Sequence, residues 1–525
     1  MEKVALKTMT TMNVSMPRSR SRQKTIGING ILRLCNGVVA CLIFSGFFRE
    51  ELTGHPYMDW LTLFLGLALC LQTHIVLMME RRSPDPFVLI MTYLLTVFYA
   101  LRIFTLLLYP VQDVFERFTY GPSDSNYALL YILAVNTFIY AGLYNVKLRD
   151  AAVIEIGGYQ PVRPRIGVAL FIFSLLFAQF GQSILPEAVA PFINLIYNNF
   201  LTPNIVLMVL AAYVIVFRNC LPSIYSKIVL SGAVMILVLQ TLAFSRSGFL
   251  TFADNLLIVI LALLPTLRLP RKYVLIGFTL IPFLLATAFT IYALSTTSRM
   301  WKGDEGSTLT EKVEILQASR EILRNDPRTD FFIGRIVSRM GYFDFSAEII
   351  ANSDDYAGVF TVGSYFKSIV DNLLTPGFDV FDQPKISNSL KYAYSNSLGD
   401  ASKSNETNAV GVYHTDHFGL YGEMYGLFNY ASLLVVYFIA YLLKSAFRYK
   451  GKLSPRVIAL NRVFILWIFF QWMNSFGLDW ILINLVIVGV SYYGLSKLFL
   501  VRIKSNHRVV DSAELLSPNN LRSRR

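Results

Sequence analysis

The sequence predicts an all-α polytopic membrane protein of about twelve transmembrane helices, with one large, mainly helical extracytoplasmic loop between helices 9 and 10. Three observations carry that expectation. Hydrophobic residues make up 54% of the 525-residue chain and charged residues only 15%, with a mean hydropathy of +0.50, whereas charged residues alone are usually about a quarter of a soluble globular chain. Apolar runs of roughly 17–25 residues, the length that crosses about 30 Å of hydrocarbon, recur along the sequence. The polar residues gather instead in one block of about 130 residues, Ser295 to Phe428.

Taken in order, residues 1–30 are polar and basic (Lys3, Lys7, Arg18, Arg20, Arg22, Lys24). They are too long and too polar for the leading region of a cleaved signal peptide and read as a cytoplasmic tail. Apolar segments near 31–48, 58–79, 87–109, 127–146, 166–184, 202–217, 228–246, 249–267 and 273–294 then form the first membrane unit, 31–294. The loop domain covers 295–427. Segments near 428–447, 457–475 and 480–500 make the second membrane unit, 428–500, and a polar tail occupies 501–525.

Charge sets the expected orientation. The formal net charge of +13 is not a nucleic-acid footprint, because residues 295–428 hold 12 Lys and Arg against 18 Asp and Glu, a net of −6, leaving +19 elsewhere. The cations cluster between alternate apolar runs, as at Lys147 and Arg149, at Arg268, Arg271 and Lys272, and from Lys444 to Arg456. By the positive-inside rule, alternating the segments against these clusters puts both termini in the cytoplasm and the long loop outside. The four cysteines, Cys35, Cys41, Cys70 and Cys220, fall in or beside apolar segments and read as core packing, with no disulfide framework and no zinc cluster.

Within the loop, Thr308 and Glu311 have capping-box spacing ahead of an amphipathic helix near 309–325. Further helices are expected over 333–351 and 362–374, the latter ended by Pro376 and Gly377. The loop therefore reads as a folded helical cap. Its Asn-, Ser- and Gly-rich stretch beyond Pro384 has the composition of a lid.

Several charges are placed to grip a polar group at the membrane surface. Arg335 and Arg339 stand four apart, so one helix face would carry two guanidinium forks able to bind phosphate oxygens; the alternative is a solvated basic stripe paired with Asp330 or Asp344. Arg246, in the segment Ser245–Gly248 that closes the seventh apolar run, puts a guanidinium at the outer boundary, with Asp254 as an equally good structural partner. Arg102 lies some two turns below the outer end of the third run, either snorkelling or facing the bundle interior. His414, Asp416, His417 and Glu423 crowd the end of the loop, where any His, Asp or Glu in a partly desolvated site is a candidate base. Glu423 could equally cap its own helix, and His414 with His417 lacks a third metal ligand.

At these residues the chain resembles the oligosaccharide repeat-unit polymerases, the O-antigen polymerase family. The match lies in the order of Ser245-Arg246-Ser-Gly248, Arg335-Ile-Val-Ser-Arg339-Met-Gly-Tyr, the Pro376–Lys385 segment PGFDVFDQPK, and Gly422-Glu423-Met-Tyr425-Gly-Leu-Phe428-Asn. The PGFDVFDQPK segment departs from the family's form, in which an arginine commonly precedes the aromatic, so Lys385 is a weaker correspondence. The resemblance implies a metal-independent, cofactor-free, lipid-dependent glycosyltransferase in the bacterial inner membrane. It would move a glycan from undecaprenyl pyrophosphate onto an incoming lipid-linked repeat unit, with Glu423, His417 and Arg339 catalytic and Arg246, Arg335, Arg102, Lys385 and His414 binding substrate. Its implied partners are the undecaprenyl pyrophosphate-linked oligosaccharide and the lipid bilayer, with room for a chain-length regulator and a flippase, and no nucleic acid. A glycan ligase acting on lipid A core shares the same parts, and a transporter or flippase of lipid-linked sugars is the reading from a different class.

Overall fold

The computed structural model describes residues 25–80, 84–108, 120–146, 159–161, 164–184, 201–217, 221–242, 246–265, 268–272, 274–276, 309–325, 342–374, 380–381, 419–448, 455–474 and 478–502, with single residues 197, 279, 290, 294, 297 and 386. Its architecture is helical. Helices α1 (Ile28–Gly46), α2 (Trp60–Met79), α3 (Pro86–Leu108) and α4 (Pro122–Tyr144) match the first four expected segments within a few residues. α5 (Pro164–Ile184), α6 (Pro203–Val216), α7 (Ser223–Leu242) and α8 (Arg246–Leu263) follow. From the polar block come α9 (Leu309–Asn325), α10 (Tyr342–Ala351) and α11 (Val362–Leu374). The chain then runs through α12 (Leu420–Phe428), a 3-10 turn, α13 (Ser432–Arg448), α14 (Pro455–Asn474) and α15 (Leu478–Phe499). Among the described residues six helical stretches are long and apolar enough to cross a membrane: α1, α2, α3, α4, the Leu420–Arg448 run, and Val457–Asn474.

Local chemistry fixes several of these boundaries. Asp59 caps α2 by accepting the Thr62 N–H at 2.9 Å, while Thr62 Oγ1 accepts the Asp59 N–H at 3.0 Å, the reciprocal arrangement of a capping box. Asp85 caps α3 ahead of Pro86, a residue suited to the first turn because it has no N–H to leave unpaired. The middle of α3, Leu95–Ala100, is wound as a π-helix, a form that tends to mark functional positions.

The helices alternate in direction, and contacts between distant segments show which ends lie together. At one end β1 (Thr25–Gly27) pairs antiparallel with β3 (Arg268–Pro270), and β2 (Tyr159–Pro161) pairs with β4 (Leu500–Arg502). At that same end Asn29 donates to the carbonyls of Leu77 and Glu80, and Arg448 donates to Val146 O at 2.6 Å. At the other end Ser125 donates to Tyr57 O, and Asn126 bonds Asp59 and Thr62. Every pairing joins segments that strict alternation assigns to one side.

The main core cluster runs through α2, α3, α4, α6 and α14, a smaller one gathers Ile349, Tyr356, Phe360, Tyr365 and Ile386, and Phe44, Phe64, Leu71, Ile75 and Leu442 point outward. Outward apolar side chains are the mark of a bundle whose solvent is lipid. Cys41 belongs to that outward set, a correction to the core-packing expectation; Cys70 is buried and Cys35 half-buried, and Cys220 lies outside the described residues. A second correction concerns Arg246, which opens α8 instead of closing α7, whose last residue is Leu242. In a helix's first turn the N–H groups lack intrahelical partners anyway, so the small polar run there costs little.

Candidate functional site

The polar block contributes more than a cap, because α10 packs directly on α4 and α12 and touches the π segment of α3. Its sequence explains why. Tyr342, Phe343, Ala347 and Ile350 are apolar enough to join the main core, and all are buried. The same helix also buries Asp344 and Glu348, four residues apart and therefore on one face.

Asp344 is met by Arg102. Arg102 Nε donates to Asp344 Oδ2 at 2.6 Å and Nη2 to Oδ1 at 3.2 Å, a bidentate pair in which Arg102 is 1% exposed and Asp344 fully buried. The Tyr120 hydroxyl donates to the same Oδ1 at 2.7 Å. Burial and the Asp344 charge push that phenol well above its ordinary value, which keeps it a donor. Arg102 therefore faces the interior and does not snorkel, and its Nη1 has no hydrogen-bond partner. One turn on, Glu348 accepts from the Tyr120 backbone N–H at 3.2 Å and from Asn352 Nδ2 at 2.9 Å. His55 lies close by, its pKa lowered first by burial and further by the Arg102 charge, with the nearby Leu106 backbone opposing.

Glu423, on the first turn of α12, is buried and joins three elements. Tyr365 of α11 donates its hydroxyl to Oε1 at 2.5 Å, and the backbone N–H of Leu478 donates to the same oxygen at 2.6 Å. Leu478 is the first residue of α15. Glu423 thus sits at the positive end of α15 as well as in the first turn of its own helix α12, both places where a carboxylate is favoured.

Tyrosines line the seam where α3, α4, α10 and α12 meet. Tyr99 of the π segment packs edge-on against Tyr421 at 5.0 Å and lies near Tyr342 at 6.3 Å, and Tyr421 donates to Asn136 Oδ1 at 2.5 Å. Tyr131 bonds Ser432 at 2.6 Å and stacks edge-on with Tyr425. Gly419, just before α12, adopts φ of 75°, and a Cβ there would lie 2.8 Å from Tyr99 Oη and Ser346 Oγ and 3.0 Å from the Tyr342 carbonyl. Glycine is required there on both counts. A Cβ at Gly426 would lie 2.4 Å from the Phe360 ring, so α12 presses against the polar block along its whole length.

Of the residues expected to act, Arg102 and Glu423 are placed on α3 and α12, both of which touch α10. Arg335, Arg339, Lys385, His414 and His417 lie outside the described residues, as do the 273–294 run as a continuous segment and the lid-like stretch 387–418; Arg246 is placed only by its backbone. Sequence reasoning missed Asp344, Glu348, Tyr120 and Tyr365 as members of the site. A signal was present for two of them: YFDFSAEII buries two carboxylates in an otherwise apolar run, a pattern that demands partners. No family model, characterised protein or solved structure matches the chain.

Proposed function

We propose that this protein is a lipid-dependent glycosyltransferase that polymerises undecaprenyl pyrophosphate-linked oligosaccharide repeat units into a surface polysaccharide. In that reaction the bond from the anomeric carbon to the pyrophosphate oxygen breaks, an acceptor sugar hydroxyl forms the new bond to that carbon, and its proton passes to a base. The leaving pyrophosphate gathers negative charge, which fixed guanidinium groups in a poorly hydrated site stabilise better than water does. Arg339, Arg335 and Arg246 take that role, and Glu423 or His417 positions or deprotonates the acceptor. The protein lies in the bacterial inner membrane with the end bearing Asn29, Arg448 and the two strand pairs in the cytoplasm and the α10 end outside.

One observation carries the reading beyond the resemblance in sequence order. Arg339 precedes Tyr342 by three residues and His417 precedes Gly419 by two, and the backbones of Tyr342 and Gly419 pack so closely that a single methyl at Gly419 would meet the Tyr342 carbonyl at 3.0 Å. Around that junction the described residues bury the Arg102–Asp344 pair, a second carboxylate at Glu348, and Glu423 four residues beyond Gly419. A pyrophosphate-binding cation and a base carried on separate parts of the chain are what the transfer needs.

The test is reconstitution of the purified protein in proteoliposomes with lipid-linked repeat units, read by product length. A ladder of polymers is expected, abolished by Arg339→Ala and by Glu423→Gln. Transfer of pre-formed polymer to lipid A core without chain growth would replace polymerase with ligase, and substrate movement that survives both substitutions would replace it with transport.

A further inference from the structure

Helix α11 is amphipathic with the polarity of a water-facing helix turned inside out. Tyr365, Ser368 and Asp371, spaced by three, form a buried inner stripe. Tyr365 is bonded to Glu423 at 2.5 Å, and Asp371 Oδ1 accepts the backbone N–H of Val380 at 2.9 Å and of Phe381 at 3.0 Å. The outward stripe carries Val362 and Phe366, 76% and 60% exposed, and the pinned pair Val380 and Phe381 adds side chains exposed by 59% and 44%. The Phe366 and Phe381 rings are 6.4 Å apart, so these four residues make one apolar surface and not scattered positions.

Continuity identifies what covers it. α11 packs on α15, and the outward row of α15 near that contact, Leu482, Leu485 and Val486, is itself exposed and apolar. The patch therefore extends a surface that a 22-residue apolar helix already turns toward lipid. Lys367, exposed beside Phe366, has a stem that can lie along acyl chains and a head that reaches lipid phosphates. With 13 residues, α11 spans only about 20 Å and is too short to cross a bilayer.

We infer that α11 and Val380–Phe381 form an in-plane membrane anchor, lying in one leaflet with Val362, Phe366, Val380 and Phe381 seated among the acyl chains. Its inner face carries Tyr365 directly to Glu423, so the element holds the candidate site against the bilayer surface. This rests on the protein being a membrane protein and not on the transfer reaction, so it stands or falls separately from the proposed activity.

Spin labels at Phe366→Cys and, separately, Val380→Cys decide it, in full-length protein with Cys35, Cys41, Cys70 and Cys220 replaced by alanine and reconstituted in phosphatidylglycerol-containing nanodiscs. Val490→Cys on α15 serves as the lipid reference and Asp355→Cys as the aqueous one. Collision rates with oxygen relative to a water-soluble nickel chelate are expected to be several-fold higher at 366 and 380 than at 355 and to approach those at 490. Rates like those at 355 would place the patch in water, and protection from both reagents would place a protein surface over it; either result overturns the inference. Two labelled positions on different segments keep the test decisive if one variant fails to assemble.

Discussion

The bundle buries an ion pair at each end, and the two are built differently. At the α10 end, Arg102 and Asp344 form a bidentate pair with both side chains sealed from solvent, and Glu348 adds a second buried carboxylate one turn away. At the opposite end Lys444 of α13 pairs with Asp85, with Arg448 3.9 Å from the same oxygen and the Phe87 ring 5.0 Å from the ammonium. Asp85 also caps α3, and Glu80 accepts its backbone N–H. The Lys444 pair joins two long apolar helices within a basic margin, so a spare cation is at hand. The Arg102 pair joins a long apolar helix to a helix of the polar block, the two segments lying 242 residues apart. The Lys444 pair, with Arg448 beside the same oxygen, reads as a staple, whereas the sealed bidentate pair ties the docking of α10 to the Arg102 charge.

The sharpest way to break this contrast is Arg102→Ala, which strands Asp344 in the interior. Loss of a partner from a buried pair typically costs about 3–5 kcal/mol, so thermal unfolding in nanodiscs should shift down by many degrees, and adding Asp344→Leu should restore much of the loss. If the single variant is as stable as the parent, the pair does not hold α10. Gly419→Ala attacks the same junction through sterics; forcing a side chain into φ of 75° against the Tyr342 carbonyl should cost about 1–3 kcal/mol and loosen amide protection in α10 and α12 together. At the opposite end Lys444→Met should cost about 2 kcal/mol or less, because Arg448 remains beside Asp85 and the methionine stem fills the space. A Lys444 effect larger than that of Arg102 would invert the comparison.

Smaller effects separate the site's parts. Tyr365→Phe removes one hydrogen bond to Glu423 and should cost about 1 kcal/mol, seen as faster hydrogen exchange at the start of α15 while the opposite end is unchanged. The smallest is a pH effect at His55. Its folded-state pKa lies below the ordinary 6.5, so the unfolded chain takes up the proton first and stability falls as pH drops below about that value toward the folded-state one. Chemical denaturation at pH 7.5 and pH 5 should show that loss, and His55→Asn should remove it.

Helix positions were legible because lipid thickness fixes segment length and apolar runs announce it. The predicted 58–79 and 87–109 became Trp60–Met79 and Pro86–Leu108, and 309–325 and 362–374 in the polar block fell where capping and periodicity put them. The strand pairs β1–β3 and β2–β4 join segments that charge alternation had placed on one side. Arg102 and Glu423 also stood out, since a charge in an apolar run advertises its cost. Their partners did not. Asp344 lies 242 residues from Arg102, Leu478 donates through its backbone, which no side chain reveals, and Tyr365 looks like any other aromatic in a loop.

Composition, run length and the placement of basic residues by themselves determined that the chain is a helical membrane protein with alternating helices and one polar block. Each of those features is a per-residue transfer energy summed over a local window. Only tertiary structure decided that α10 enters the core, that α11 turns its apolar face outward, and that Glu423 meets the first backbone N–H of α15. Those outcomes depend on which distant groups satisfy a buried charge or donor, and that is settled by packing in three dimensions, where separation along the sequence carries no weight.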